Sequence, residues 1–235
     1  MGRSHALLMA ERGADIIVVD SLENEARESC ALVQKLGRKA TAIVTDVTNL
    51  PALLQGVSHA EQEFGHIDIL VNNAGQSGGR GGLDSVDEAA FDRIFDQHVK
   101  AAFFLTQAIV RGMKARRYGK IVNISSTMAL NGLTYGHHYS GAKAALLALT
   151  KGWAKEFVSY NICVNAVAPG AVLTPMTLQM DGIEKIREKA KLVPMQRYAE
   201  PEEISFAVAF LASGEADFIT GQVISPNGGD VIVGI

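Results

Sequence analysis

Two cysteines, Cys30 and Cys163, are the only thiols among these 235 residues. They lie far apart and form neither a CxxC pair nor a metal-ligand spacing. Neither a disulfide framework nor a bound metal is therefore expected, and a reduced, cytoplasmic setting is. No apolar run approaches the 18 or more residues that a membrane-spanning helix needs. Apolar and polar side chains interleave over residues 1–13, with Glu11 and Arg12 close behind, so this stretch does not read as a secretory signal. A net charge of −3 provides no electrostatic pull toward nucleic acid or an anionic membrane. Repeats, low-complexity tracts and interdomain linkers are missing too, so residues 1–235 read as one domain.

What remains is an ordinary globular composition, 48% hydrophobic and 20% charged, long enough for a substantial core. Short β-branched runs at 15–20 (DIIVVD), 40–46 (ATAIVTD), 67–71 (IDILV), 120–125 (KIVNIS), 161–167 (NICVNAV) and 222–225 read as strands. Helical spacing fills residues 21–36, 52–64, 89–114 and 140–158 between them. Strands that are apolar throughout and alternate with helices indicate an α/β fold, a doubly wound parallel sheet of Rossmann type with helices on both faces. Asp46 follows one strand and Asn72-Asn73-Ala74-Gly75 another. Ligands bind at such strand C-terminal ends in open α/β sheets.

The opening of the chain is unusual for that fold. Residues 1–11 read as a helix with Ala6, Leu7, Met9 and Ala10 turned to a sheet, yet no strand precedes it. Gly2 stands 18 residues before Asp20, close to the gap of about 20 residues between a dinucleotide-binding glycine fingerprint and its ribose-binding acid. The expectation is a sequence that starts at the last glycine of such a fingerprint, with the first strand missing. An unusual N-terminus with Gly2 as a simple leader is the alternative.

Tyr139-Ser140-Gly141-Ala142-Lys143 is a YxxxK, whose i, i+4 spacing places a phenol and an ammonium on one helix face. A phenol of pKa about 10 is a poor acid–base at neutral pH, and a nearby cation favours its ionised form. Ser126 ends the strand KIVNISS thirteen residues earlier and can face the phenol. Together with NNAG, NISS, VNAVAPGAVLTPM and ITGQVISPNGG, in this order, the chain resembles the short-chain dehydrogenase/reductase family over essentially its whole length. The resemblance is strongest to 3-oxoacyl-ACP reductases and NAD-dependent secondary alcohol dehydrogenases.

The resemblance implies an oxidoreductase that interconverts a secondary alcohol and a ketone. Tyr139 is then the general acid or base, Ser126 the hydrogen-bond partner of the substrate oxygen, and Lys143 the group that binds the nicotinamide ribose and lowers the Tyr139 pKa. It further implies Asp46 and Val47 near adenine, Asn73, Ala74 and Gly75 beside the cofactor, and Pro169, Gly170, Val172 and Thr174 along the nicotinamide. Gly2 would be the remnant of the phosphate loop. A carboxylate at Asp20 accepts hydrogen bonds from the adenosine ribose hydroxyls and repels a 2′-phosphate, which favours NAD over NADP; the alternative is that Asp20 only caps the next helix.

Two departures from the family pattern stand out. Its TGxxxGxG is absent except for Met1-Gly2, which leaves fewer backbone donors for a pyrophosphate. His98 stands where the family carries an Asn that supports a water relay to the active-site Lys, and is included among the catalytic candidates. A neutral imidazole both donates and accepts, so it can keep the relay or slow it. His137 and His138 face either the substrate pocket or its rim. Residues 176–192 are a methionine-bearing lid or a plain surface helix, and the glycine-rich stretch 77–82 is a mobile loop or a turn. Tetramers or dimers are implied, with Phe103, Phe104, Leu147 and Trp153 as contacts or as core. Two further functions stay open: an NADPH-dependent reductase of 3-oxoacyl thioesters, and a non-catalytic oligomer subunit without its phosphate loop.

Overall fold

A computed structural model describes residues 1–79 and 81–232; Arg80, inside the 77–82 loop, lies outside the described residues. Among the described residues six strands form: β1 (Ile16–Asp20), β2 (Ala40–Val44), β3 (Ile69–Asn72), β4 (Gly119–Ile124), β5 (Ile162–Val167) and β6 (Val223–Ile224). Every pairing is parallel. Each residue of β4 and β5 is buried, which is why their sequences are apolar without alternating.

The hydrogen-bonded ladder is in two parts, β1–β2 and β3–β4–β5–β6. Apolar packing joins them, because Ile17 and Val19 of β1 share a core with Leu70 of β3. The first five helices are α1 (Gly2–Glu11), α2 (Glu23–Lys35), α3 (Leu50–Phe64), α4 (Glu88–Phe95) and α5 (Ala101–Arg116). After β4 come α6 (Met128–Asn131), α7 (His137–Phe157), α8 (Pro175–Ala190) and α9 (Pro201–Ala212). One face of the sheet carries α3, α5 and α7 through Leu53, Met113 and Phe157. The other carries α9 through Ile204, Val208 and Leu211, with Met1 and Met9 of α1 beside it. Burying each such large side chain contributes about 1.5–3 kcal/mol.

Three elements differ from the sequence expectation. The helix read at 89–114 is broken by a π-helical turn, Asp96–Lys100. Its wider turn inserts one residue into the helical ladder, and His98 is buried there. The helix read from 140 starts at His137, so Tyr139 sits in its first turn. The stretch read at 176–192 forms α8, but Gly182 (φ 69°) kinks it, a conformation that costs glycine little. No helix among the described residues is long and apolar enough to cross a membrane.

Candidate active site

Parallel pairing brings the strand C-terminal ends to one edge. Asp20 lies opposite Val44, Asn72 opposite Asn123, and Ile124 opposite Val167. Asp20, Asp46, Asn73, Ser126 and Pro169, which end or follow successive strands, therefore share that edge. A buried polar ladder holds β3 and β4 in register: the Asn72 amide donates to Asn123 Oδ1 (2.8 Å) and Thr106 Oγ1 (3.2 Å). Asn123 in turn donates to Thr150 Oγ1 on α7 (2.8 Å). Sequence reasoning missed Thr106, Asn123 and Thr150. The available signal was Asn123 itself, an amide inside an otherwise apolar run that has to find partners when buried.

Tyr139 and Lys143 lie one turn apart on α7, with Lys143 Nζ 5.7 Å from the centre of the phenol ring. Lys143 is 3% exposed, and its ammonium donates to the Ile124 carbonyl at the end of β4 (2.7 Å). The Lys143 carbonyl accepts from Ser125 Oγ (2.9 Å), which ties the same helix turn to the same strand end. Burial holds the Lys143 pKa down to about 7. Ser126 Oγ accepts from the Met128 amide (3.1 Å) and also hydrogen-bonds the Tyr139 hydroxyl.

For Tyr139 itself, burial outweighs that bond and raises the pKa above the ordinary phenol value. The pKa-lowering role expected for Lys143 is therefore not what dominates in this structure. A desolvated ammonium is itself pushed toward neutrality, and desolvation of the phenolate is the larger effect.

His98 packs edge-on against Tyr139, with ring centres 5.3 Å apart and planes at 88°. Its Nε2 lies 2.9 Å from the Gln76 carbonyl. A carbonyl only accepts, so Nε2 carries the hydrogen and Nδ1 presents a lone pair. That Nδ1 is buried and has no partner. Burial, and then the charge of Lys143, hold the His98 pKa down to about 3 against the opposing Gln76 bond, so the ring is neutral.

Gly75 is pressed against this ring: a Cβ there would sit 1.9 Å from His98 Cε1. Gly75→Ala should therefore cost about 1–3 kcal/mol by overpacking. Adding His98→Ala should recover most of that loss in a urea double-mutant cycle. A Cβ on Gly78 would likewise meet Tyr139 Cβ at 2.7 Å. Gly78 thus rests directly on the first turn of α7.

Asp20 is half-buried, and its Oδ1 accepts from the Leu22 amide (2.9 Å). Local turn formation uses one carboxylate oxygen and leaves the other. Asp46 is exposed and binds both the amide and hydroxyl of Thr48 (2.8 Å each), while the adjacent Val47 is buried in the core. Asn73 Oδ1 is buried without a partner, Ala74 is exposed, and Gly2 opens α1 with no side-chain cap. Pro169 is buried, and Gly170 allows the Asn227 backbone to approach, since a Cβ would come within 2.8 Å of Asn227 Cα. Val172 is buried and bridged to Ala199. Thr174 caps α8 through reciprocal bonds with Thr177.

These groups fit a nicotinamide dinucleotide. A carboxylate oxygen is free at β1, an amide oxygen is unsatisfied at Asn73, and close glycines leave room for a backbone-lined cleft. The N–H groups at the start of α1 have no side-chain cap, which leaves them able to receive a phosphate. Among the described residues no cluster of His, Cys, Asp and Glu suits a metal. His137 is exposed. His138 is buried and lines a cavity of about 400 Å³ with Phe91 and Phe95, which neither Ser126 nor Lys143 reaches.

Comparison with known proteins agrees with this geometry. A family model described as enoyl-(acyl carrier protein) reductase matches residues 1–230. The chain is 38% identical to the 3-oxoacyl-[acyl-carrier-protein] reductase of Thermotoga maritima, over 99% of this chain and 94% of that protein. Among solved structures, levodione reductase superposes with a TM-score of 0.93 at 30% identity, covering 97% of this chain and 92% of the other. Acetoin dehydrogenase from Enterobacter cloacae gives 0.88 at 38% identity, covering 97% and 90%. A xylitol dehydrogenase solved with NAD+ gives 0.91 at 31% identity, covering 97% and 94%.

Proposed function

Because the chain belongs to the short-chain dehydrogenase/reductase family and is an NAD(P)-dependent oxidoreductase, we propose that it interconverts a secondary alcohol and a ketone with NAD(H). The observation that carries the cofactor choice is Asp20, whose second carboxylate oxygen is free at the end of β1. That oxygen suits a ribose diol and repels a phosphate. Arg3, the cation in the first turn of α1, is already held by Glu25 (2.7 Å) and Glu28 (2.8 Å), so it offers little to a 2′-phosphate.

Bound NAD(H) supplies or accepts the hydride. Asp20 and Asn73 would hold its adenosine side, and Gly75, Pro169, Gly170, Val172 and Thr174 would line its nicotinamide side. Asp46 and Val47 would lie on the adenine side, and the helix that Gly2 opens would offer its N–H groups to the phosphates. Ser126 orients the substrate oxygen. Tyr139 donates its hydroxyl proton to that oxygen as a carbonyl is reduced, and takes a proton back as an alcohol is oxidised. Lys143 holds the ribose hydroxyls and moves a proton toward Tyr139, a task for which a pKa of about 7 suits it. The unpartnered Nδ1 of His98 offers a hydrogen-bond acceptor beside the phenol, where the family usually carries an Asn.

Asp20→Ser should shift the NADP/NAD preference toward NADP by about tenfold or more, because it removes a full charge from the phosphate position. Steady-state kinetics with both cofactors measures this; an unchanged ratio counts against the assignment. A second reading, reduction of 3-oxoacyl thioesters with NADPH, is favoured by the curated reductases to which the chain is similar. Assaying NAD+ reduction on secondary alcohols beside NADPH oxidation on a 3-oxoacyl thioester separates the two. Turnover of the thioester alone would replace the first reading with the second.

We also expect a dimer or tetramer. Phe103 on α5 is 39% exposed while Trp153 beneath it is core, so α5 offers apolar area to a partner copy. Sedimentation of the pure protein checks this.

A further inference from the structure

Beneath α1 lies a buried polar cluster that the proposed reaction does not use. His5 is 3% exposed and Ser205 on α9 is fully buried. His5 Nδ1 lies 2.7 Å from Ser205 Oγ, and Ser4 Oγ lies 2.8 Å from the same oxygen. The other ring nitrogen, Nε2, is buried with no partner, and so is Asn73 Oδ1 at the exit of β3. Asn73 is near enough to His5 for its side chain to favour a proton on the ring against the effect of burial, and Gly2 of the same helix packs on the Asn73 amide. Leaving a buried polar atom unpaired costs about 1–3 kcal/mol, so two such orphans brought near one another gain by pairing.

Only one assignment of hydrogens pairs them both. Ser4 donates to Ser205, Ser205 donates to Nδ1, and Nε2–H donates to Asn73 Oδ1. Ser205 gives up its side-chain bond to the Pro201 carbonyl (2.9 Å) in this arrangement. That exchange costs little, because residue 205 also donates its backbone amide to the same carbonyl within α9.

We propose that Ser4, Ser205 and His5 form a hydrogen-bond chain that ends on Asn73 and fixes the orientation of its amide, which makes His5 a positioning residue for the cofactor loop. The proposal rests on reading Asn73 as a cofactor residue. Burial, with the nearby amino-terminal charge, holds the His5 pKa down to about 4, so the ring stays a neutral one-donor, one-acceptor link. Gly2 packs on the other side of the same amide, where a Cβ would lie 3.0 Å from Asn73 Nδ2. The amide is thus held from two sides by α1.

The test combines His5→Leu, His5→Gln and Asn73→Ala with nitrogen-15 NMR of the unliganded protein. In the wild type the hydrogen of His5 should reside on Nε2, and a hydrogen on Nδ1 would overturn the proposal even if every variant failed to fold. His5→Leu should raise the KM for NADH roughly tenfold with kcat changed by less than about twofold, and His5→Gln should restore most of the loss. His5→Leu should add nothing further in an Asn73→Ala background; additive losses would mean that His5 acts only on stability. Because the tautomer is read without cofactor, failure of the wild type to bind NADH would overturn the dehydrogenase reading alone.

Discussion

Tyr139→Phe should abolish turnover, lowering kcat by about 10²–10⁴-fold while NADH binding stays within about twofold. The substitution removes one oxygen and keeps the ring. The edge contact with His98 and the packing under Gly78 therefore survive, and any loss belongs to the proton. Burial raises the Tyr139 pKa, so the hydroxyl stands ready as an acid for carbonyl reduction, while the oxidation direction needs it ionised. The wild-type rate of alcohol oxidation should accordingly climb with pH toward the raised Tyr139 pKa, while the rate of ketone reduction should stay level and fall only as the hydroxyl ionises. Kinetics in both directions from pH 6 to pH 10, with calorimetric NADH titration of both proteins, checks this. A Tyr139→Phe enzyme that retained a tenth of its turnover would remove Tyr139 from the chemistry.

Lys143→Met should do two opposite things, namely remove activity and raise stability. A pKa displaced from 10.5 to about 7 corresponds to about 5 kcal/mol against the folded state as an upper bound, at about 1.4 kcal/mol per unit. Removing the ammonium also leaves the Ile124 carbonyl without its side-chain donor, which takes back about 1–3 kcal/mol. The net gain should be at most about 2–4 kcal/mol, or about 5–15 °C in Tm.

The pH dependence of that gain follows from linkage. Below pH 7 the lysine is protonated in both states, and the whole penalty is present. Between pH 7 and 10.5 the unfolded chain holds a proton that the folded chain has released, so wild-type stability rises with pH. The advantage of Lys143→Met should therefore be largest at pH 7 and below, and should give way above 10.5 to a small deficit from the lost bond to the Ile124 carbonyl. Thermal unfolding across that range measures it. A variant less stable than wild type at pH 6 would mean that the ammonium is better solvated than its 3% exposure implies.

Much of this molecule follows from local rules. β4 and β5 could be read as buried parallel strands because six consecutive residues without polar alternation have no other stable placement. Tyr139 and Lys143 could be paired because i, i+4 spacing is a property of any helix. Asp20, Asp46 and Asn73 could be grouped because strand ends share an edge in a parallel sheet. Periodicity sees only one element at a time, however. It could not foresee the π-helical turn at Asp96–Lys100, because an inserted residue leaves the helix pattern of 89–114 nearly unchanged. The burial of His5 was missed for a related reason. A single histidine among apolar neighbours reads as polar, and its hydrogen-bond partner Ser205 is 200 positions away.

The sequence by itself thus determined the fold class, the family and the placing of Tyr139 and Lys143 one turn apart on a helix, because these depend on composition, period and spacing along one chain. Tertiary structure alone decided the sign of the Tyr139 shift, the neutrality of His98 and the packing of Gly2 against Asn73. Each of those is set by desolvation and by partners brought close from distant segments, and no property of a residue's own stretch of chain encodes how much water it loses when the chain folds.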